Sequence, residues 1–227
     1  VESANPSFSF ADVARRYDTL NHLMSLGQDR RWRQIAAETV HLPHGGRVLD
    51  VGVGTGDMAL ALQHRWPGST VVGLDPTLEM MRVGQRKPGA ETVRWTQGDG
   101  LRLPFPDSYF DAVTSAFLLR NVPDVPSALA EQCRVVRPGG RVVCLEMTWP
   151  RTPVLGPLFQ FYFANLMPHI TGILSGQPAA YRYLPRSVQR FMAPEELKGT
   201  MERVGLQNVR YRILMLGTVA LHVGERR

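Results

Sequence analysis

Lysine is nearly missing from this chain of 227 residues. Lys87 and Lys198 stand against 24 arginines, and with 20 acidic residues the formal charge is +6. The arginines are spread along the chain, whereas nucleic-acid binders cluster theirs, so no nucleic-acid partner is expected. Cysteine is equally scarce: Cys133 and Cys144 have no metal-ligand spacing, and no His/Cys/Asp/Glu cluster supplies one. No metal is expected. No secretory leader pattern opens the sequence, and a reducing, cytoplasmic compartment is the expectation. Long apolar runs are missing too. Residues 154–174 come nearest, but Gln160, Asn165, Pro168 and His169 interrupt them, which argues against a membrane span. Repeats and low-complexity tracts are absent. A content of 44% hydrophobic and 20% charged residues excludes a disordered, collagen-like or coiled-coil chain.

What is present is an alternation of strands and helices. Residues 46–51, 71–74, 91–96, 109–115 and 141–147 read as short apolar strands. Residues 57–66 read as a helix, and Val125, Leu129, Cys133 and Val136 recur at helical spacing until Pro138-Gly139-Gly140 stops them. That alternation predicts a Rossmann-like, doubly wound α/β sheet with right-handed crossovers. Residues 209–215 and 219–223 then form a hairpin and add an antiparallel edge to a mostly parallel sheet. One domain spanning 1–227 is expected. It divides into N-terminal helices at 8–41, a core at 46–148, a helical lid insertion at 152–192, and a last helix with the hairpin at 193–227.

The turn after the first strand carries the strongest chemistry. Gly52, Gly54 and Gly56 lie between strand and helix, where glycine permits a tight turn and close approach of a ligand to the backbone. Asp50 stands on the first strand. Asp75 ends the second, 21 residues after Gly54, at the spacing of the carboxylate that binds ribose hydroxyls. The spacing G-x-G-x-G is not that of a pyrophosphate binder. Here the sequence resembles the class I S-adenosylmethionine-dependent methyltransferases. The resemblance implies S-adenosylmethionine as cofactor, its methionine end on Asp50, Gly52, Gly54, Thr55 and Gly56. Asp75 with Pro76 would take the ribose, and Asp99 and Gly100 the adenine. Ser115, at a strand end, and Tyr17, one helical turn from Asn21, join the cofactor set.

A closer resemblance covers most of the chain. Tyr17-Asp18, Asn21 to Gly27, Leu119-Arg120-Asn121-Val122, Tyr181 to Leu184 and Val219-Ala220-Leu221-His222 are similar to the quinone-biosynthesis C-methyltransferases. That family methylates demethylmenaquinol and, in some organisms, the ubiquinone precursor. The implied reaction is C-methylation of a prenylated naphthoquinol, and the implied partners are that quinol, a peripheral contact with the inner face of the membrane, and a second copy in a homodimer. Arginines 15, 16, 30, 31 and 33 and the apolar insertion motivate the membrane contact. Arg120, His222 and Tyr181 are the catalytic candidates, and Asn121, Phe159, Tyr162 and Tyr183 the acceptor-binding ones. Arg120 stays protonated, so its role would be to stabilise a phenolate or orient a water.

Plainer readings stay open beside these. Arg120 would then pair with Asp124, His222 would be a buried hydrogen-bonded histidine, Asp99 a turn residue, and the run from Phe159 to Phe163 core. The chain also departs from the family pattern. Gly52-Val53 replaces Ala-Gly, and Asp29, Leu118 and Arg186 stand where histidine, glycine and glutamate are usual. These last three are expected on the acceptor side. They leave two alternatives: a different aromatic acceptor, or a non-catalytic cofactor-binding partner.

Overall fold

A seven-stranded sheet in the order β3-β2-β1-β4-β5-β7-β6 organises the chain. The computed structural model describes residues 18–19, 21–150, 155–162 and 178–227. Along the chain run α1 (Gln28–Thr39), β1 (Arg47–Val51), α2 (Asp57–Arg65), β2 (Thr70–Asp75), α3 (Leu78–Gly84), β3 (Arg94–Gln97), β4 (Phe110–Ala116) and α4 (Val125–Val135). Then come β5 (Val136–Met147), α5 (Leu155–Phe161), α6 (Pro178–Arg190), α7 (Pro194–Arg203), β6 (Leu206–Leu214) and β7 (Val219–Arg226). β1 pairs in parallel with β2 and β4, while β7 runs antiparallel to both β5 and β6. The class I methyltransferase fold expected from the sequence is therefore the fold observed.

Side chains alternate across the strands and feed two cores. Val48 of β1 joins Trp32, Ala36 and Leu62 of α1 and α2 on one face. Leu49 and Val51 join Leu129, Leu197 and Met201 of α4 and α7 on the other. Strands covered on both faces must be apolar nearly throughout, which is why β1 and β2 read as hydrophobic runs with Asp50 and Asp75 as their acidic exceptions. Asp124 sets the start of α4: its carboxylate accepts from the Ser127 amide at 3.0 Å and the Ser127 hydroxyl at 2.6 Å.

Three boundaries differ from expectation. Residues 90–92 coil into a 3-10 turn after Gly89, whose φ is +83°, so β3 begins only at Arg94. Val136 is not helical but already pairs with Phe110. Pro138, Gly139 and Gly140 fall in a register shift before Arg141 meets Ala112, because proline has no N–H to give the ladder. The last hairpin is longer than its apolar core suggested, since both strands continue in polar residues to Leu206 and Arg226.

Candidate active site

Two hollows meet at the carboxyl ends of the parallel strands. The first is a crevice of about 250 Å³, lined by Gly52, Gly54, Asp75, Pro76, Asp99 and Gly100 and closed by Leu118 and Asn121. Asp75 organises it. Its Oδ2 accepts from the Gly54 amide at 2.9 Å and its Oδ1 from the Thr77 amide at 2.8 Å, so one carboxylate ties the glycine turn to the next loop. Burial raises its pKa above the usual carboxylate range, against the hydrogen bonds from Thr77 and Gly54. Each oxygen keeps a lone pair for a hydroxyl donor. Asp99 is exposed and closes a turn by accepting from the Leu101 amide at 2.9 Å.

The glycines of the turn have different duties. At Gly54 an added Cβ would lie 3.5 Å from Met80, facing the crevice, whereas at Gly56 it would come within 2.5 Å of the Trp95 ring. Thr55 is buried and donates to Asp18 at 2.5 Å. Thr55 and Gly56 therefore brace the turn instead of lining the crevice. Asp50 stands beneath it, 1% exposed, with Oδ1 accepting from Thr114 at 2.8 Å and Oδ2 without a hydrogen-bond partner. Burial pushes its pKa up to about 7.

The second hollow is an apolar cavity of about 410 Å³ between α1, the β6–β7 turn and the insertion. Trp32, Met147, Phe159 and Tyr162 line it, and the Tyr162 hydroxyl donates to the Met24 carbonyl at 3.3 Å. Phe117 lines both hollows. Its φ of +59° is unusual for a bulky residue. The turn is held by its amide on Leu145 at 2.7 Å, and its carbonyl accepts from Arg120 at 2.8 Å and Asn121 at 3.0 Å. Arg120 lines the cavity and pairs with Glu146 at 2.5 Å, both side chains under a tenth exposed. The Nε of Arg120 has no hydrogen-bond partner. Arg33 also lines the cavity, pairs with Asp29 at 3.0 Å and stands 5.2 Å from the Phe117 ring centre. Burial acts to raise Asp29, but Arg33, the Ser25 hydroxyl and the neighbouring His22 ring hold its carboxyl below the ordinary range.

Several expected site residues lie elsewhere. His222 faces the opposite side of the sheet, 1% exposed, with Nε2 2.9 Å from the Pro194 carbonyl, and burial lowers its pKa. It is a packed histidine of the α7 layer and does not reach the cavity. Ser115 faces the same layer, against Gln132 and Cys144. Strand alternation puts both side chains on the wrong face. Arg120 pairs with Glu146 and not with Asp124, which is occupied capping α4. Asn121 lines the crevice and not the cavity. Of the three acceptor-side departures, Asp29 lines the cavity, Leu118 lines the crevice and Arg186 is exposed on α6. Arg33, counted as surface charge, is buried by Asp29. Tyr17 lies outside the described residues, as do the side chains of Tyr181 and Tyr183 on α6. Glu146 is readable as an acid at the carboxyl end of a strand, though not its pairing with Arg120. Phe117 was missed, because its left-handed turn leaves no signal in the sequence.

Residues 4–226 match the ubiE/COQ5 methyltransferase family. The chain belongs to that family. It is 46% identical over 96% of its length to a demethylmenaquinone methyltransferase of Thermus thermophilus, 99% of which is covered. It is 44% identical to a demethylmenaquinone methyltransferase of Deinococcus radiodurans, over 96% of this chain and 91% of that one. Identity is 42% to the ubiquinone/menaquinone biosynthesis C-methyltransferase UbiE of Geobacter sulfurreducens, over 96% and 86%. Among solved structures, a methyltransferase of Thermotoga maritima superposes with a TM-score of 0.68 at 18% identity, covering 96% of this chain and 98% of that one. Human N-acetylserotonin methyltransferase in complex with SAM gives 0.63 at 18%, covering 93% and 55%. At those identities the structures show the fold. Family membership makes the chain an S-adenosylmethionine-dependent C-methyltransferase.

Proposed function

We propose that the chain methylates a ring carbon of demethylmenaquinol. The observation that carries this reading is the junction at Phe117. There a polar crevice with a ribose-type carboxylate opens beside an apolar cavity walled by a buried, paired arginine. The relatives' names agree with an apolar acceptor of that kind. In this reading Asp75 holds the ribose hydroxyls, Gly52 and Gly54 give the backbone room, and Asp99, Gly100 and Pro76 border the adenine. Asp50 supports the turn from below, anchored by Thr114. When bound, S-adenosylmethionine supplies an electrophilic methyl group on a positively charged sulfur.

The protein's own part is positioning and charge. Phe117 separates the two hollows and sets the approach of the acceptor ring. Arg120, fixed by Glu146 and the Phe117 carbonyl, presents positive charge where the acceptor oxygen becomes negative. Phe159 and Tyr162 cover the ring and exclude water. Leu26 and Leu216, each 72% exposed, flank the mouth of the cavity, where the prenyl tail leaves. The enzyme works on the cytoplasmic face of a membrane, docking by this rim with Arg30 and Arg31 exposed nearby. No helix among the described residues is long and apolar enough to cross a membrane.

Labelled S-adenosylmethionine with a panel of quinols tests the reading. Label is expected in a short-chain demethylmenaquinol and not in simple phenols. A deletion strain with a normal menaquinone pool would refute it. Since Leu118 and Arg186 stand off the cavity, only Asp29 among the departures speaks for a different aromatic acceptor.

A further inference from the structure

Replacing a ring hydrogen by a methyl group releases one proton per turnover. On the reading above, that proton starts in an apolar cavity and must reach water. Arg33 and Arg120 in the cavity wall stay protonated and cannot take it. Asp29 is the one carboxylate among the described residues of that wall. It also lines a second, polar cleft of about 670 Å³, so it stands between the two hollows. Its Oδ1 accepts from the Ser25 hydroxyl at 2.9 Å and lies 3.0 Å from Nδ1 of His22. Ser25 lines the cavity; His22 lines the cleft, its side chain 47% exposed. Gly27 leaves room for the imidazole, since a Cβ there would come within 3.2 Å of its Cε1. A hydroxyl, a carboxylate and an imidazole thus join the apolar side to the polar side in hydrogen-bond contact.

We propose that Ser25, Asp29 and His22 are a proton exit from the acceptor cavity. The acceptor hydroxyl gives its proton to Ser25 Oγ as Ser25 passes its own to Asp29; His22, in the tautomer with its proton on Nε2, takes that proton on Nδ1 and releases the Nε2 proton in the cleft. The electron pair of the broken O–H bond stays on the acceptor oxygen and enriches the ring carbon. The ring C–H proton later returns to that oxygen as aromaticity is restored, so one proton leaves per methyl transferred. Histidine suits the outlet because as a residue type it exchanges protons near neutral pH. Arg33 holds the other Asp29 oxygen and fixes the carboxylate in line.

The inference rests on the proposed reaction, and the experiment separates the two. Wild type, Ser25→Ala and His22→Ala are assayed with saturating S-adenosylmethionine and a short-chain demethylmenaquinol, with and without imidazole. His22→Ala is expected to lose roughly tenfold or more in kcat with KM little changed, and imidazole to restore most of the loss. Binding of the quinol alone is expected to shift the ring nitrogen resonances of His22 in wild type but not in Ser25→Ala. An active wild type with His22→Ala within about twofold, or with a loss that imidazole does not restore, refutes the exit while leaving the reaction standing. A wild type that transfers no methyl group to any quinol refutes both.

Discussion

Arg120 forms a buried ion pair and also faces the acceptor cavity, so stability and catalysis can be separated by pairing two substitutions. Arg120→Met keeps the apolar stem and removes the charge. It leaves Glu146, 2% exposed, with its carboxylate uncompensated. Breaking a buried pair by removing one partner costs about 3–5 kcal/mol. Glu146 still accepts from the Met147 amide at 2.9 Å, which places the loss toward the low end. For a chain of this size each kcal/mol moves Tm by about 2–4 °C, so a fall of roughly 6–12 °C is expected. Adding Glu146→Gln removes the orphaned charge and recovers most of that fall. Catalysis responds differently. Losing one preorganised donor to a developing negative charge costs about 2.7–4 kcal/mol, or roughly 10²–10³ in turnover, and the second substitution does not restore it. Single-turnover methyl transfer with saturating cofactor, beside thermal melts of wild type, Arg120→Met and the double variant, reads both. If the double variant regains both melting temperature and transfer, or if Arg120→Met transfers within about threefold of wild type, Arg120 acts only in folding.

Asp75→Ala is expected to weaken cofactor binding by roughly a hundredfold or more in titration calorimetry, since two hydroxyl acceptors and two backbone anchors are lost together; an unchanged Kd rejects the ribose assignment. Asp50, with its pKa raised to about 7 from 3.8, binds its proton more tightly folded than unfolded. Stability without ligand therefore falls as pH rises from about 4 to about 7 and levels off above, by up to about 4 kcal/mol. Asp50→Asn should flatten that profile in melts across the range, and an unaltered slope would show that the carboxyl is not the titrating group. Leu26→Ser combined with Leu216→Ser is expected to reduce flotation with anionic vesicles several-fold while leaving transfer to a tail-less quinol intact; equal flotation of wild type and variant removes the membrane rim.

Much of the fold is local in origin and was readable. The glycine turn, the Asp75 spacing and the apolar runs of β1 and β2 each follow from a few neighbouring residues, because strand period, turn chemistry and crossover length are short-range properties. The family resemblance was carried by contiguous motifs as well. Faces and partners were not readable. His222 and Ser115 end on the α4–α7 side because register with Cys144 and the neighbouring strands fixes which way alternate side chains point, and a shift of one residue would have turned them to the other face. Glu146 finds Arg120 from 26 residues away, and Asp29 comes to stand between an apolar cavity and a polar cleft only once α1 is laid against the sheet. The chain alone determined which elements form and which cofactor turn they carry. Packing of distant elements decided which charges pair, which are buried, and where a proton can leave.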